Sequence, residues 1–435
     1  MPGSTPTADQ LAHARDLLAY LEAGPSPHHV VAESRRRLDA AGFSPLDPPA
    51  EWPTRPGRHY VTVGGALLAW SSVGGSPAAG FSIVGAHTDS PGFRLKPRPD
   101  TGSAGFRQLG VEVYGGPLLN SWLDRDLGLA GRVVLEGPDG LTEADLLDDR
   151  PLLRIPQLAI HLDREVNDKG LKLDRQRHLT PIWGLGPVDE GAFRTYLAEQ
   201  LHVAPGAVVS WDVMPFDLQA PALTGPDQEL ISSARLDNLV SCHAGLEALV
   251  HAHDTDPPAR TPVLALFDHE EVGSTSATGA AGALLGRTLE RITGTLGGSR
   301  DDHLRALAAT SCVSADMAHA THPNYPERHE PDHPVRLNGG PVIKLNSQQR
   351  YATSAGTAAE FVAACDRAGV PVQHFVSNNT MPCGSTIGPL TAAQLGIATV
   401  DVGVAQLGMH SIRELCGAAD PLRLAQALTA FVSAA

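Results

Sequence analysis

Two adjacent glutamates, Glu270 and Glu271, follow almost directly on the apolar run 263–267. A run of that length is typical of a buried strand, and open α/β sheets place their chemistry at the carboxyl ends of such strands. Taken alone, an acidic pair is usually a solvated turn. At a strand end, however, one carboxylate can bind a metal ion while its neighbour acts as a general base toward a water molecule. The choice depends on whether other metal ligands stand in matching positions.

Three more apolar runs lead to residues that bind metals. His87 and Asp89 follow one run, Asp316 ends a second, and His410 lies a short loop beyond a third. His-x-Asp suits a metal site because the imidazole can bind the ion while the nearby carboxylate accepts the other ring proton and fixes the tautomer. We therefore expect Asp89 to orient the ligand His87 and not to be a ligand itself.

A fifth segment supplies Asp237, which precedes apolar residues at helical spacing and so stands at a predicted helix start. With Asp89 set aside, the candidates are two histidines and four acidic residues: His87, Asp237, Glu270, Glu271, Asp316 and His410. Each has a structural explanation when taken singly, as a core-edge histidine, a helix cap or a turn residue. Together they match a two-metal hydrolytic centre, whose ions lie about 3.5–4 Å apart. Nitrogen and oxygen ligands without thiolate favour zinc, and manganese or cobalt can bind the same set.

These candidates fall within a series of short motifs that spans nearly the whole chain. In chain order the motifs are Gly85-Ala86-His87-Thr88-Asp89-Ser90-Pro91, Asn120-Ser121-Trp122-Leu123-Asp124-Arg125-Asp126, Ser233-Ala234-Arg235-Leu236-Asp237-Asn238, Asp268-His269-Glu270-Glu271-Val272-Gly273, Asp316-Met317-Ala318-His319-Ala320 with His322-Pro323-Asn324-Tyr325, Gln349-Arg350-Tyr351-Ala352-Thr353, Pro382-Cys383-Gly384, and Met409-His410-Ser411-Ile412-Arg413-Glu414. Their sequences and their order resemble those of the aspartyl aminopeptidase family. Eight such motifs are far more specific than any one of them.

The resemblance implies a role for each candidate ligand. One zinc ion would be bound by His87, Asp237 and Asp316. The other would be bound by Asp237, Glu271 and His410, so that Asp237 bridges the pair. Glu270 would be the general base that activates the water between the ions, and manganese or cobalt can replace zinc at one of the two sites.

The family removes an unblocked N-terminal Asp or Glu from peptides, so the resemblance implies a pocket that attracts a carboxylate. The chain carries 33 Lys+Arg against 48 Asp+Glu, a formal charge of -15. Long-range steering of acidic peptides is therefore unfavourable, and selection must come from local cations. Lys344, in the apolar run 342–345, resembles the family's substrate-carboxylate lysine, and Arg350 is a second candidate cation. The alternative for Lys344 is an edge-strand lysine that opposes aggregation.

Three further residues are predicted to line the substrate site. His319 and His322 belong to a histidine-rich segment that prolines interrupt, which is typical of a loop and not of a helix that binds metal. Gly384 lies in a glycine-containing loop that is expected to line the specificity pocket. The alternative function is a co-catalytic metallohydrolase of other specificity, such as a neutral-residue aminopeptidase or an N-acyl amino-acid hydrolase. An enzyme for neutral residues would not need the positive charge of Lys344 in its pocket.

The order of elements predicts an α/β fold with a mostly parallel central sheet flanked by helices, of the zinc exopeptidase type. Helical patterns occur at 11–21, 30–41, 236–251, 357–368 and 421–434. Short strand candidates at 111–114, 131–135 and 152–155 indicate an inserted β-rich domain. We therefore expect residues 1–90 and 221–435 to form the catalytic domain and residues 91–220 to form an insert, which the family uses for dimerisation.

The resemblance also implies self-association. Family members assemble into twelve-subunit shells, so dimers that build a dodecamer are expected. In similar two-domain metallopeptidases a histidine of the dimerisation domain reaches a neighbour's active site and polarises the scissile carbonyl. His161 resembles that residue, and its alternative is a surface histidine of a β-domain.

Composition agrees with a cytoplasmic enzyme. The five cysteines are scattered without paired spacing, which argues against a disulfide framework. The first residues lack the basic start and apolar core of a signal peptide, and long apolar runs typical of a membrane span are absent from the sequence. The acidic balance without a basic stripe argues against nucleic-acid binding.

Overall fold

The computed structural model describes residues 5–73, 75–253 and 258–434. Residues 1–4, part of the segment used to argue against a leader peptide, lie outside the described residues. The helices are α1 (Ala8–Ala23), α2 (Pro27–Ala40), α3 (Val166–Lys169), α4 (Ala192–Gln200), α5 (Leu236–Val250), α6 (Leu284–Thr295), α7 (Arg300–Ala308), α8 (Ala355–Ala368), α9 (Ile387–Leu395) and α10 (Asp420–Val432). Within this part of the chain, every helix falls short of the length and apolarity needed to cross a membrane.

The strands are β1 (Ser44–Pro45), β2 (Arg58–Val63), β3 (Ala66–Ser71), β4 (Phe81–His87), β5 (Gly92–Ser103), β6 (Phe106–Tyr114), β7 (Leu127–Gly137), β8 (Gly140–Leu153), β9 (Ile182–Leu185), β10 (Val208–Asp217), β11 (Ala222–Thr224), β12 (Leu230–Ser233), β13 (Thr261–Phe267), β14 (Ser311–Ala315), β15 (Ala318–His319), β16 (Val342–Leu345), β17 (Gln373–Val376), β18 (Ala398–Gly403), β19 (Ala405–Leu407) and β20 (Glu414–Gly417). Short 3₁₀ helices lie at Leu119–Trp122, Pro205–Ala207, Glu270–Val272 and Pro326–Arg328.

The chain divides into two compact units. The first comprises Met1–Asp89, Pro221–Met409 and Glu414–Ala435, and the second comprises Ser90–Ala220 and His410–Arg413. The division proposed from the sequence placed residues 410–413 in the catalytic part, whereas the structure groups this tetrapeptide with the second unit. The reason is local, since the backbone of His410 and Ile412 bonds to Leu118 and Ser121.

A nine-stranded sheet forms the centre of the first unit, in the order β1-β2-β3-β13-β4-β14-β18-β16-β17. Its four middle strands, β13, β4, β14 and β18, are parallel. Phe267 lies opposite His87, and Ser314 lies opposite Gly85. Because parallel neighbours end at the same edge of a sheet, the segments that follow these strands meet there. The predicted α/β class with a mostly parallel sheet is confirmed.

Both faces of this sheet are buried, which explains why its middle strands read as continuous apolar runs. Val84 and Leu264 belong to the core cluster on one face, with α1, α5, α8 and α10, whereas Ile83 and Val263 belong to the cluster on the other, with α6, α7 and α9. On α5, a Cβ at Gly245 would lie 2.8 Å from Leu264 and 3.0 Å from Val84. Glycine at this position therefore lets α5 approach the sheet closely.

The second unit is built from two three-stranded sheets, β10-β7-β8 and β5-β6-β9. Neighbouring strands in both sheets are antiparallel. Its own core includes the aromatic side chains of Phe93, Trp122 and Phe193. The unit is thus β-rich, with α3 and α4 as its helices in the described residues.

Candidate metal centre

Strand ends of the first unit bring four acidic residues around His87. His87 ends β4, and its Nε2 lies 3.3 Å from Oδ1 of Asp237 and 3.6 Å from Oδ1 of Asp316, which follows β14. Oε2 of Glu270 lies 4.0 Å from the same nitrogen. Ligand atoms of His87, Asp237 and Asp316 lie within 4.8 Å of one another, as do those of His87, Glu270 and Glu271. Five of the six predicted centre residues are therefore close together.

Asp89 holds this arrangement through the backbone. Its carboxylate accepts hydrogen bonds from the backbone N–H groups of Glu270 and Glu271, each at 3.1 Å. The imidazole Nδ1–H of His87 donates to the main-chain carbonyl of Asp89 at 3.0 Å, while the carboxylate Oδ1 lies 3.4 Å away. The sequence interpretation gave the tautomer-fixing role to the carboxylate, whereas the carbonyl is the nearer acceptor. Either acceptor leaves Nε2 of His87 as the nitrogen that can bind a metal.

Asp237 is positioned by two contacts that the sequence analysis did not include. Its backbone N–H donates to the carboxylate of Glu414 at 3.0 Å, and the side-chain amide of Asn238 donates to the carbonyl of Ala315 at 2.8 Å. Both Asp237 and Glu414 are buried. The sequence contains one sign of the buried role of Glu414. This glutamate begins the short run 414–419, and the remaining residues of that run are apolar or glycine.

The electrostatics of this group call for positive charge. Burial raises the pKa of Glu270 to about 8, with the His87 imidazole opposing that rise and the Asp316 carboxylate adding to it. Burial and the charge of Asp237 raise the pKa of Glu271 well above its usual range. Although burial opposes it, hydrogen bonding to Asp237 and Asp316 raises the pKa of His87. The group therefore retains protons, which reduce the repulsion between its carboxylates. Divalent cations would neutralise the same negative charge, so the nitrogen and oxygen donors of this group fit a metal site.

His410 and His161 both lie in the second unit. The Nδ1–H of His410 donates to the carbonyl of Gly116 at 3.0 Å, so the lone pair of this ring is on Nε2. His161 is exposed in the irregular segment between β8 and α3.

Lys344 is buried, with only 2% of its surface exposed. Its Nζ donates to the carbonyls of Asp316 at 2.9 Å and of Met317 at 3.2 Å, and it lies 3.7 Å from Oδ2 of Asp316. The ammonium also lies 5.2 Å from the centroid of the Tyr351 ring. This side chain is therefore in the interior, in contact with a candidate ligand, and is not on an exposed sheet edge.

Of the other predicted substrate residues of the first unit, His319 ends the short strand β15 and not a loop as predicted, whereas His322, Arg350 and Gly384 lie in loops. His319 and Gly384 line a cavity of about 170 Å³ together with Tyr351. Arg350 is exposed, and its carbonyl accepts a hydrogen bond from Ser385. His322 is half-buried, and its backbone N–H donates to His329 Nε2. The structure thus brings His319 and Gly384 to one cavity, and Arg350 and His322 do not line it.

Comparison with known proteins identifies the family. Residues 20–432 match the family described as aminopeptidase I zinc metalloprotease (M18). A probable M18 family aminopeptidase 2 of Streptomyces coelicolor is 55% identical over 434 residues, which is 99% of each chain. A solved structure of an Ape4 and Nbr1 complex matches with a TM-score of 0.93 and 34% identity, over 99% of this chain and 88% of that one. The S. cerevisiae mApe1 dodecamer matches with a TM-score of 0.85 and 26% identity, over 97% of each chain.

The candidate metal ligands at the strand ends and these full-length likenesses lead to one conclusion. The chain belongs to the M18 family and is a zinc metallo-aminopeptidase.

Proposed function

We propose that this aminopeptidase releases unblocked acidic residues, Asp or Glu, from the N-termini of peptides. The observation that carries this specificity is the buried ammonium of Lys344 beside Asp316. A buried cation is unfavourable unless it is paired. Asp316, the carboxylate 3.7 Å from it, also belongs to the candidate metal set, and the buried carboxyl of Asp401 interacts with the charge of Lys344 as well. Because Asp316 would share its charge with a metal ion, Lys344 keeps positive potential for a substrate carboxylate. An enzyme for neutral N-terminal residues has no use for this charge.

We further propose a centre of two zinc ions. His87, Asp237 and Asp316 would hold one ion, and Asp237, Glu271 and His410 would hold the other. When bound, such ions polarise the scissile carbonyl and lower the pKa of water. The general base is Glu270, which takes a proton from the attacking water and delivers it to the amine that leaves. Asp89 keeps His87 and the Glu270–Glu271 turn in register for this transfer.

The proposal extends to assembly. We infer that the insert 91–220 mediates dimerisation and that dimers build a dodecamer, in line with the dodecameric S. cerevisiae relative. Exposed apolar side chains flank His161 in the described chain: Leu158 is 59% exposed and Leu162 is 75% exposed. If a partner subunit covers these side chains, His161 would reach the partner's active site and the scissile carbonyl of the peptide bound there. A cytoplasmic location is supported by the free state of all five cysteines.

Hydrolysis of a peptide panel tests the specificity. Metal-reconstituted enzyme is assayed with peptides that begin with Asp, Glu, Leu or Ala and are otherwise identical. A charge-assisted contact contributes about 1.5–3 kcal/mol, so Lys344→Met should lower kcat/KM for the Asp peptide roughly 10- to 150-fold. The Leu peptide should be affected far less. Lys172→Met, at an exposed lysine of the second unit, is the matched control.

Zinc content is measured on each variant because Lys344 contacts Asp316. An enzyme that prefers the Leu peptide, or a Lys344→Met variant that retains its zinc and loses both activities equally, would exclude the acidic pocket. The first result would instead support the neutral-residue alternative.

A further inference from the structure

Away from the strand ends, a second group of metal-ligating side chains lies between α1 and α5. His13 and Asp16 are three residues apart on α1, and His243 and Glu247 are four residues apart on α5. Both spacings place the two side chains on one face of their helix, one turn apart. Two helices that pack in this way can present four ligands to one point, as in metal sites built within helical bundles.

The side-chain atoms of this group are close together. Nε2 of His13 lies 2.6 Å from Oε2 of Glu247, and Nε2 of His243 lies 2.7 Å from Oδ2 of Asp16. Nε2 of His243 is also 3.9 Å from Oε1 of Glu247. One ligand atom from each of His13, His243 and Glu247 lies within 4.8 Å of the others. His13, His243 and Glu247 therefore surround a common point, and Asp16 borders them through His243 while its carboxylate also accepts from Arg37.

Nε2 is the nitrogen of each histidine that faces the carboxylates. Nε2 of His13 lies 2.6 Å from Glu247, and Nε2 of His243 lies 2.7 Å from Asp16. A cation would therefore bind Nε2 of both rings. Each Nδ1, which is buried and has no hydrogen-bond partner among the described residues, would then carry the ring proton.

An ion can also reach the group. His13 and Glu247 line a cavity of about 660 Å³ on the same unit, together with His251 and Arg367. The side chain of Glu247 is 28% exposed and that of Asp16 is 46% exposed, so both carboxylates have room to adjust. Tetrahedral zinc ligands lie about 3.3 Å from one another, so each hydrogen-bonded pair needs to open by less than about 1 Å.

We propose that His13, His243 and Glu247, completed by Asp16, bind a divalent cation, for which their donor set favours zinc. This ion is additional to those of the strand-end centre. Its role is structural, because it ties the N-terminal α1 to α5, and α5 carries Asp237 at its other end. The site is independent of the enzyme's specificity and of the number of catalytic ions.

Metal stoichiometry tests the proposal. The holoenzyme and the double variant His13→Gln/Glu247→Gln are dialysed against the same buffer with a slight excess of free Zn²⁺, and bound zinc is measured by mass spectrometry. The strand-end residues are the same in both proteins, so zinc bound there contributes equally to both and does not affect the difference in zinc content. Loss of an outer-shell partner already weakens metal sites 10- to 100-fold, so removal of two ligands should abolish this site. We expect the double variant to hold one zinc per chain less than the wild type.

Glu360→Gln is the matched control, because Glu360 is a half-buried carboxylate of the same unit that bonds to Arg260 and Ser311 and is not one of the proposed ligands. It should keep the wild-type stoichiometry. Substitution of Co²⁺ for Zn²⁺ gives a second readout, since four-coordinate cobalt with nitrogen and oxygen ligands absorbs visible light, and the difference spectrum should vanish in the double variant. If the double variant does not fold, His13→Gln alone carries the same comparison. Equal zinc content in wild type and folded variant would overturn the proposal.

Discussion

Replacing Asp89 by asparagine tests whether a residue that positions the candidate ligands, without being a ligand itself, affects zinc binding. The two carboxylate oxygens of Asp89 each accept one backbone N–H, from Glu270 and from Glu271, and the residue is 1% exposed. Asparagine has the same shape but only one acceptor oxygen. In either orientation of the amide, its NH₂ group faces one of the two backbone N–H groups, so one hydrogen bond is lost.

The magnitude follows from these two contacts. Losing a hydrogen bond to a charged acceptor costs about 1.5–3 kcal/mol. The remaining bond changes from a charged to a neutral acceptor and loses about half its strength, roughly 1 kcal/mol. The expected total for Asp89→Asn is therefore about 2.5–4 kcal/mol. Because the 3₁₀ turn at 270–272 can open without global unfolding, much of this should appear as a 10- to 100-fold lower zinc affinity.

The assay is competition for zinc with a chelator, accompanied by urea unfolding of the metal-free proteins. Asp100→Asn is a matched control, since the two oxygens of Asp100 accept the backbone N–H groups of Gly191 and Phe193 at 3.0 and 2.9 Å, within the second unit. It should lower stability and leave zinc affinity unchanged. Wild-type zinc affinity in Asp89→Asn, or an equal loss in both variants, would refute this reasoning.

Two further predictions concern proton transfer and acid stability. Glu270→Gln should retain its zinc and lower kcat about 10²- to 10⁴-fold, the usual contribution of a general base, and undiminished turnover would remove that role. In the second unit, the Arg150 guanidinium holds the pKa of Asp148 at about 2. A carboxyl whose pKa is lowered by folding stabilises the protein above its unfolded pKa, so this contribution should disappear as the pH falls from about 4 to about 2. Urea midpoints measured across that range should fall more steeply for the wild type than for Asp148→Asn, and parallel curves would contradict the assignment.

The elements that the sequence made predictable are those with a strong period or an uninterrupted apolar run. The helical pattern at 357–368 lies within α8. Ser354 caps the N-terminus of this helix, because its side chain accepts a hydrogen bond from the backbone N–H of Thr357. The apolar run 263–267 is the end of β13. Helix α4, in contrast, follows Gly191 in a left-handed conformation without a side-chain cap, so the sequence offers little to mark its start.

The candidate ligands were predictable for a similar reason. His87 ends a buried parallel strand, and Glu270 and Asp316 each follow one, so the parallel register alone places these residues at one edge. The parts that escaped prediction are backbone contacts, one within a local turn and one across a long sequence separation. The carbonyl of Asp89 as an acceptor for His87 depends on a local turn, and the bond from Asp237 to Glu414 joins residues 177 positions apart. Neither leaves a periodic trace in the sequence.

The group at His13 shows how far that distinction extends. Its two halves are visible in the sequence as His-x-x-Asp and His-x-x-x-Glu, and each alone is an ordinary pair on a helix face. Only the packing of α1 against α5, through apolar residues such as Leu17 and Leu239, brings the halves within reach of one ion. The strand-end centre is specified by a repeated rule of sheet topology, whereas this group is specified by one contact between two helices, in which His13 and Glu247 are 234 positions apart. A chain can thus contain a second set of metal ligands as compact as its first, although only the first set follows a rule that can be recognised in the sequence.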